Sequence, residues 1–248
     1  KVSTVASGEH NVRASGSLPM GVTSSFQHWD PYPISIASAR GAWLTDVDGR
    51  QLLDLSMGFG AMLVGHLNPV VVEHVQRALE ETGTLFVTPC ESNADVAELL
   101  AARYGLPMWR FTNSGTEATM DAIRVARGLT GREKLVKVEG GYHGHHDEVM
   151  ISMKPPLSEA GPADAPNSIP STAGITRGVL ADTKVVPYND PEALERLYRQ
   201  QKDEFTSALA TLPSEYDSDL VRFWKLRLAP EKTISKSSFN KSDLWAVI

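Results

Sequence analysis

Cysteine is nearly absent from this chain of 248 residues, where Cys90 stands alone. A single thiol excludes an internal disulfide framework and any zinc site built on paired cysteines. No run approaches the roughly 18 uninterrupted apolar residues of a membrane-spanning helix, so no membrane partner is expected. A basic excess is missing too. Lys and Arg number 24 against 30 Asp and Glu, a formal net charge of −6, which argues against nucleic acid held on a basic face. The opening KVSTVASGEH carries no apolar signal-peptide core, so a cytoplasmic protein is expected. It also lacks an initiating Met, which points to residues missing at the front. Apolar residues are plentiful, at 42%, enough for one large or two modest domains.

Two short runs carry most of the chemistry. The first is Phe111-Thr112-Asn113-Ser114-Gly115-Thr116-Glu117-Ala118; the second, about a helix and a strand later, is Gly140-Gly141-Tyr142-His143-Gly144. The first reads as a strand over Trp109–Thr112, a polar turn, and a helix from about Gly115 to Gly128. Small residues opening a helix leave backbone N–H groups pointing outward at the positive end of the dipole, which suits a phosphate. Ser114 followed three residues later by Glu117 also spells an ordinary capping box. The second run follows an apolar strand, Lys134–Glu139, and presents an aromatic ring, Tyr142, beside an imidazole, His143. A phosphate cradle plus an aromatic platform suits a phosphorylated aromatic cofactor; the bland reading of Tyr142 is a core tyrosine at a strand end. His143, His145 and His146 lie near Glu139, Asp147 and Glu148, but no HExxH spacing is present and no metal site is expected. Gly58-Phe59-Gly60 is not a GxGxxG dinucleotide loop.

Residues 1–17 are small and polar and read as a flexible arm. An irregular, proline-containing segment follows to residue 67 and holds a hairpin, Ala42–Asp46 and Gln51–Leu55, around the Asp48-Gly49 turn. His66 reads as a structural residue at the next turn. Asn68-Pro69 opens an amphipathic helix to about Thr82, and a second helix spans Asn93 to Tyr104. From Met108 strand and helix patterns alternate, the mark of an α/β fold with a mostly parallel sheet. Residues 154–176, rich in Pro, Ser, Ala and Gly, read as a surface loop. Lys184–Tyr188 resumes a strand, and Asp190 caps a helix running past Leu197. Residues 198–243 show no motif; Leu244–Ile248 resembles the start of a further core strand.

The string FTNSGTEATMDAIRVARGLTGREKLVKVEGGYHGHHDE resembles the class III aminotransferases, pyridoxal phosphate (PLP) enzymes of fold type I. Within that class it is most similar to the glutamate-1-semialdehyde 2,1-aminomutases. The likeness begins near Leu18-Pro19-Met20-Gly21, takes in Gly41–Asp54 and Gly65-His66-Leu67-Asn68-Pro69, and fades after about Leu197. It covers only the N-terminal half of a family enzyme. The resemblance implies a partial PLP-binding large domain over 68–197, with pyridoxal 5'-phosphate held by Ser114, Gly115, Thr116, Tyr142 and His143. It implies a substrate end formed by Ser24, Gln27 and Phe59. Gln27 stands where the aminomutase pattern has an arginine for the substrate carboxylate, and a neutral amide lacks that charge-assisted pairing. Phe59 stands where the pattern has Trp. The Schiff-base lysine lies beyond the strand where this chain ends; Lys184, Lys202 and Lys225 occur in other contexts, so no catalytic residue is assigned and the chain is expected to be inactive alone. Residues 198–243 then read as an insertion of about forty residues or a mispredicted exon in a fragment. Three functions are implied or left open: an amino shift giving 5-aminolevulinate for tetrapyrrole synthesis, an amino-acid or β-amino-acid:2-oxo-acid transaminase, and a non-catalytic binding or dimerisation module. The partner is a small amino acid or amino-aldehyde, and the full-length relative is expected to be a homodimer.

Overall fold

The computed structural model describes residues 4–85, 87–201 and 205–209. The chain divides into two compact units, Lys1–Pro89 and Cys90–Ile248. The division falls after Pro89, whereas the sequence placed it before residue 68, so the helix opened by Asn68 belongs to the first unit.

In the first unit β1 (Ile36–Arg40), β2 (Trp43–Asp46) and β3 (Gln51–Leu53) form an antiparallel sheet in that order. The turn between β2 and β3 is organised by the buried Asp46 carboxylate. It accepts the N–H groups of Asp48 (3.0 Å) and Arg50 (2.7 Å) and pairs with the Arg50 guanidinium at 2.5 Å. β1 was not foreseen, because the small residues of IASAR have weak strand preference and it is pairing with β2 that defines the strand. Asp54 and His66 meet at 2.7 Å, and Gly41 bridges His66, so the turn at 65–66 is tied to the sheet as its structural reading required. Helix α2 (Pro69–Glu81) starts with Asn68, whose side chain accepts from Val70 N and Val71 N.

The expected flexible arm is instead helix α1 (Val5–Ser15), with Ser7 wholly buried. Thr4 makes no side-chain cap. The cap comes from the hairpin: the Asp48 carboxylate accepts Ala6 N (2.9 Å), Ser7 N (3.2 Å) and Ser7 Oγ (2.9 Å). A carboxylate at this helix end satisfies orphan donors and opposes the dipole. Burial pulls the Asp48 carboxyl upward, but these hydrogen bonds outweigh it and hold the group below its ordinary range. Because the cap lies some forty residues away, local sequence pattern cannot reveal the helix. Asp48→Ala is expected to leave the hairpin folded and expose α1, read as faster proteolytic cleavage within residues 5–15 by mass spectrometry. Unchanged cleavage there would show that α1 holds without this cap.

The second unit begins with α3 (Glu91–Tyr104) and continues through α4 (Gly115–Thr130), β4 (Lys134–Val138), α5 (Arg177–Asp182), β5 (Thr183–Val186), α6 (Pro191–Gln201) and β6 (Phe205–Leu209). β4 is central, with β5 and β6 parallel on its two sides. Four consecutive β4 residues, Leu135 to Val138, are buried, as a strand covered on both faces requires. Leu135 packs with Ile123 of α4 and with Val149; Val136 and Val138 pack with Val186 and, across the other face, Leu194 and Leu197 of α6. Alternation along one strand thus sends α4 and α6 to opposite faces of the sheet.

Three further expectations are corrected. Trp109–Thr112 has no ladder partner among the described residues, where it runs as irregular backbone. α6 runs to Gln201, and β6 lies inside the stretch that showed no motif, pairing with β4 where an insertion was expected. Residues 210–248, with the expected strand at 244–248, lie outside the described residues. The 154–176 loop is pinned at its base: Ile151 bridges Pro170, Ser152 N–H donates to Ile169 O at 2.7 Å, and Ser152 Oγ donates to Asn167 O at 2.7 Å.

Candidate functional site

The first turn of α4 is capped by Ser114, whose Oγ accepts Glu117 N at 3.2 Å, while the Glu117 carboxylate turns back to Asn113 N at 2.7 Å. The serine half of a capping box is therefore present, while the Glu117 carboxylate reaches one residue further back than the box requires, to Asn113 instead of Ser114. This leaves the N–H groups of Gly115 and Thr116 with no acceptor among the described residues. A Cβ built on Gly115 would meet nothing within 4 Å, so this end of the helix faces open space.

Onto the same turn folds the loop after β4. His145 N–H donates to Thr116 Oγ1 at 3.0 Å. That bond uses an acceptor site of the Thr116 hydroxyl and leaves its proton for donation elsewhere. Thr119, three residues along α4, has Oγ1 at 2.6 Å from His143 O, against 3.0 and 3.1 Å to Gly115 O and Thr116 O. A hydroxyl has one proton, and the shortest contact takes it. Between the two attachments sits Gly144, at φ +117°, where a Cβ would stand 2.7 Å from Thr116 Cα. The two runs singled out in the sequence therefore converge on one surface.

The loop turns its two ring residues apart. Tyr142 is 52% exposed, whereas His143 is buried and its Nε2 has no hydrogen-bond partner among the described residues. Burial first, then the charges of Lys137 and His146, push the His143 imidazole down to about 4, so it is neutral at physiological pH. Behind the loop, His146 Nδ1 lies 3.0 Å from Glu148 Oε2, and Arg127 Nη1 donates to Glu148 Oε1 at 3.1 Å. The bond to His146, and after it the Glu148 amide and Arg127, hold the Glu148 carboxyl at about 2 against the opposing pull of burial. Lys137 on β4 is wholly buried, and its ammonium donates to Val138 O at 3.0 Å and Ile151 O at 2.6 Å. Among the described residues no group of His, Cys, Asp and Glu is arranged to hold a metal ion.

Ser114, Gly115, Thr116, Tyr142 and His143 all belong to this surface in the second unit. Ser24, Gln27 and Phe59 belong to the first unit. There, Phe26 meets Phe59 edge-on with ring centroids 6.2 Å apart, which brings the 24–27 turn against Phe59. Gln27 Oε1 accepts Thr23 N (3.2 Å) and Thr23 Oγ1 (2.8 Å). Gln27 also lines an open groove of about 830 Å³ with Trp29, Tyr32 and Ile34; Ser24 and Phe59 lie outside its lining. Sequence reasoning missed Thr119, Lys137 and Phe26, assigned Gly144 no role, weighed Glu148 only beside a metal reading, and read His146 as solvated, whereas its side chain is 9% exposed and contacts Thr119 and Glu148. Thr119 was in reach, since it shares a helix face with Thr116; the others are defined by contacts across the fold.

Solved structures that share this fold include PLP-dependent aminotransferases and aminomutases of fold type I. An omega-transaminase from Sphaerobacter thermophilus matches with a TM-score of 0.78 at 38% identity, over 83% of this chain and 47% of that one. A glutamate-1-semialdehyde aminomutase from Pseudomonas aeruginosa, solved with PMP, matches with a TM-score of 0.71 at 26% identity, over 90% of this chain and 48% of that one. The class III aminotransferase model matches residues 25–215, and the chain belongs to that family. The glutamate-1-semialdehyde 2,1-aminomutase of Methanoculleus marisnigri is 41% identical over 77% of this chain and 44% of its own length. That of Deinococcus radiodurans is 42% identical over 80% of this chain and 45% of its own. The chain thus spans less than half the length of these curated relatives.

Proposed function

We propose that the surface formed by the α4 turn and the Tyr142 loop is the phosphate-and-ring cradle for pyridoxal 5'-phosphate in a class III aminotransferase of the aminomutase type. The observation that carries this is the donor set. Two N–H groups without an acceptor among the described residues, Gly115 and Thr116, and the spare proton of the Thr116 hydroxyl stand together at the positive end of a 16-residue helix, where Gly115 faces open space and Thr116 lies against the Gly144 loop. A phosphate dianion satisfies all three and is favoured by the dipole. Tyr142 then offers its ring on the same loop, while neutral His143 shapes the loop from inside. When bound, the cofactor supplies an electron-withdrawing ring for amine chemistry; the residues here bind and orient it.

Pyridoxamine 5'-phosphate is the appropriate probe, since it binds through phosphate and ring without reacting with lysines. Calorimetric titration of the chain is expected to show binding, and Tyr142→Ala to weaken it about fivefold, matching the roughly 1 kcal/mol of an aromatic stack. An unchanged affinity would remove Tyr142 from the cradle.

A 2-oxo-acid-dependent transaminase is the second reading, favoured by one observation. The Gln27 carbonyl is neutral and already engaged by Thr23, so the position offers a substrate carboxylate no cationic fork. The readings separate on the need for an amino acceptor: an internal amino shift proceeds on one substrate, and transamination requires a second.

A further inference from the structure

Resting on the cofactor reading above, we infer that Thr119, backed by His146, Glu148 and Arg127, is a positioning residue that fixes the loop peptide next to Tyr142 against α4 and so sets the direction of the ring. The loop meets α4 at two points on one helix face. One is His145 N on Thr116 Oγ1 at 3.0 Å, and the other is Thr119 Oγ1 on His143 O at 2.6 Å. A single attachment allows the loop to swivel about it; two, on either side of Gly144, do not. The second point lies one peptide from Tyr142, so it governs the ring more directly than the first.

Thr119 is itself held. His146 Nε2 lies 3.2 Å from Thr119 Oγ1, and His146 Nδ1 lies 3.0 Å from Glu148 Oε2. Arg127 then donates to Glu148 Oε1 at 3.1 Å and, through Nε, to Glu133 O at 3.0 Å at the entrance to β4. Thr183 Oγ1, at the start of β5, donates to Glu148 O at 3.1 Å. The His146 side chain is only 9% exposed, so its contacts to Thr119 and Glu148 are largely withdrawn from water, where each bond is stronger, whereas Glu148 and Arg127 at the outer end are 28% and 29% exposed. The series links both neighbouring strands to the loop peptide and places none of its members on the phosphate itself. It is a device for aiming the ring.

The test compares Thr119→Val, which keeps the shape and removes the hydroxyl, with Thr119→Ser, which keeps the hydroxyl. In calorimetric titrations Thr119→Val is expected to lose about tenfold in affinity for pyridoxamine 5'-phosphate and to stay within about twofold for inorganic phosphate. Thr119→Ser is expected to restore the first. An unchanged affinity for both probes, or an equal loss of both, overturns the inference. Should the unmodified chain bind neither probe, the cofactor reading fails, and the brace is judged by amide exchange. The His145 N–H, left as the sole attachment in Thr119→Val, is then expected to open and exchange faster there than in the unmodified chain and in Thr119→Ser. Equal protection in all three overturns it.

Discussion

Gly144→Ala is expected to be among the most damaging single-atom additions in the second unit, destabilising it by about 3 kcal/mol and abolishing binding of pyridoxamine 5'-phosphate. Two costs combine. At φ +117° an L side chain is strained, and its Cβ would stand 2.7 Å from Thr116 Cα and 3.0 Å from Thr116 Oγ1. A backbone atom cannot swing aside, so the loop must lift. Lifting it breaks the His145–Thr116 bond of 3.0 Å and separates the phosphate turn from the ring that accompanies it. Gly140 provides the control. It too has positive φ, +72°, but a Cβ there meets nothing within 4 Å. Gly140→Ala should therefore cost only the conformational part, roughly 1 kcal/mol, and retain binding. Denaturant titration and calorimetry on the two variants measure the difference. Equal costs would mean that the close approach of loop to helix is not what makes Gly144 necessary.

That convergence was legible in the sequence because its parts are local. A capped helix start at Ser114, a buried strand at Lys134–Val138 and a glycine-rich loop each follow from short-range pattern, and the family resemblance joined them. The helix α2, its Asn68 cap and the Asp190 cap of α6, whose Oδ1 accepts Ala193 N at 2.9 Å, were readable for the same reason. What was not legible depends on partners far along the chain. α1 is held by Asp48; β6 exists through pairing with β4 and carries no alternating signature of its own; Trp109–Thr112 has strand-like residues but no ladder among the described residues. Polar residues inside the fold were the hardest to foresee. In the sequence LVKVEGG, Lys137 looks like a solvated interruption of an apolar strand, yet it is wholly buried.

Lys137 gives the second large effect. Its ammonium is enclosed on the face of β4 that also carries Leu135, and burial lowers its pKa to about 8 while the Glu139 carboxylate opposes the shift. Below about pH 8 both folded and unfolded chains carry the proton, and the folded state bears the full cost of the buried charge. Between 8 and the ordinary 10.5 the folded chain has released a proton that the unfolded chain still binds. Unfolding then takes up a proton, so stability rises with pH across this window, by about 3 kcal/mol in total. His143 titrates near 4, outside the window, and groups that titrate alike in both states cancel in a difference. Lys137→Met removes the charge and retains most of the volume. It forfeits the bonds to Val138 O and Ile151 O, although Val138 O still receives Gly141 N–H at 3.2 Å. Relief of the buried charge offsets that loss, so the variant should be no less stable than the unmodified chain at pH 7. The decisive measurement is the unfolding free energy of both proteins from pH 7 to 10.5. The unmodified chain should gain on Lys137→Met by about 3 kcal/mol over that range. A difference that stays flat with pH would mean that the lysine reaches water and that the sheet bears no charge at its centre.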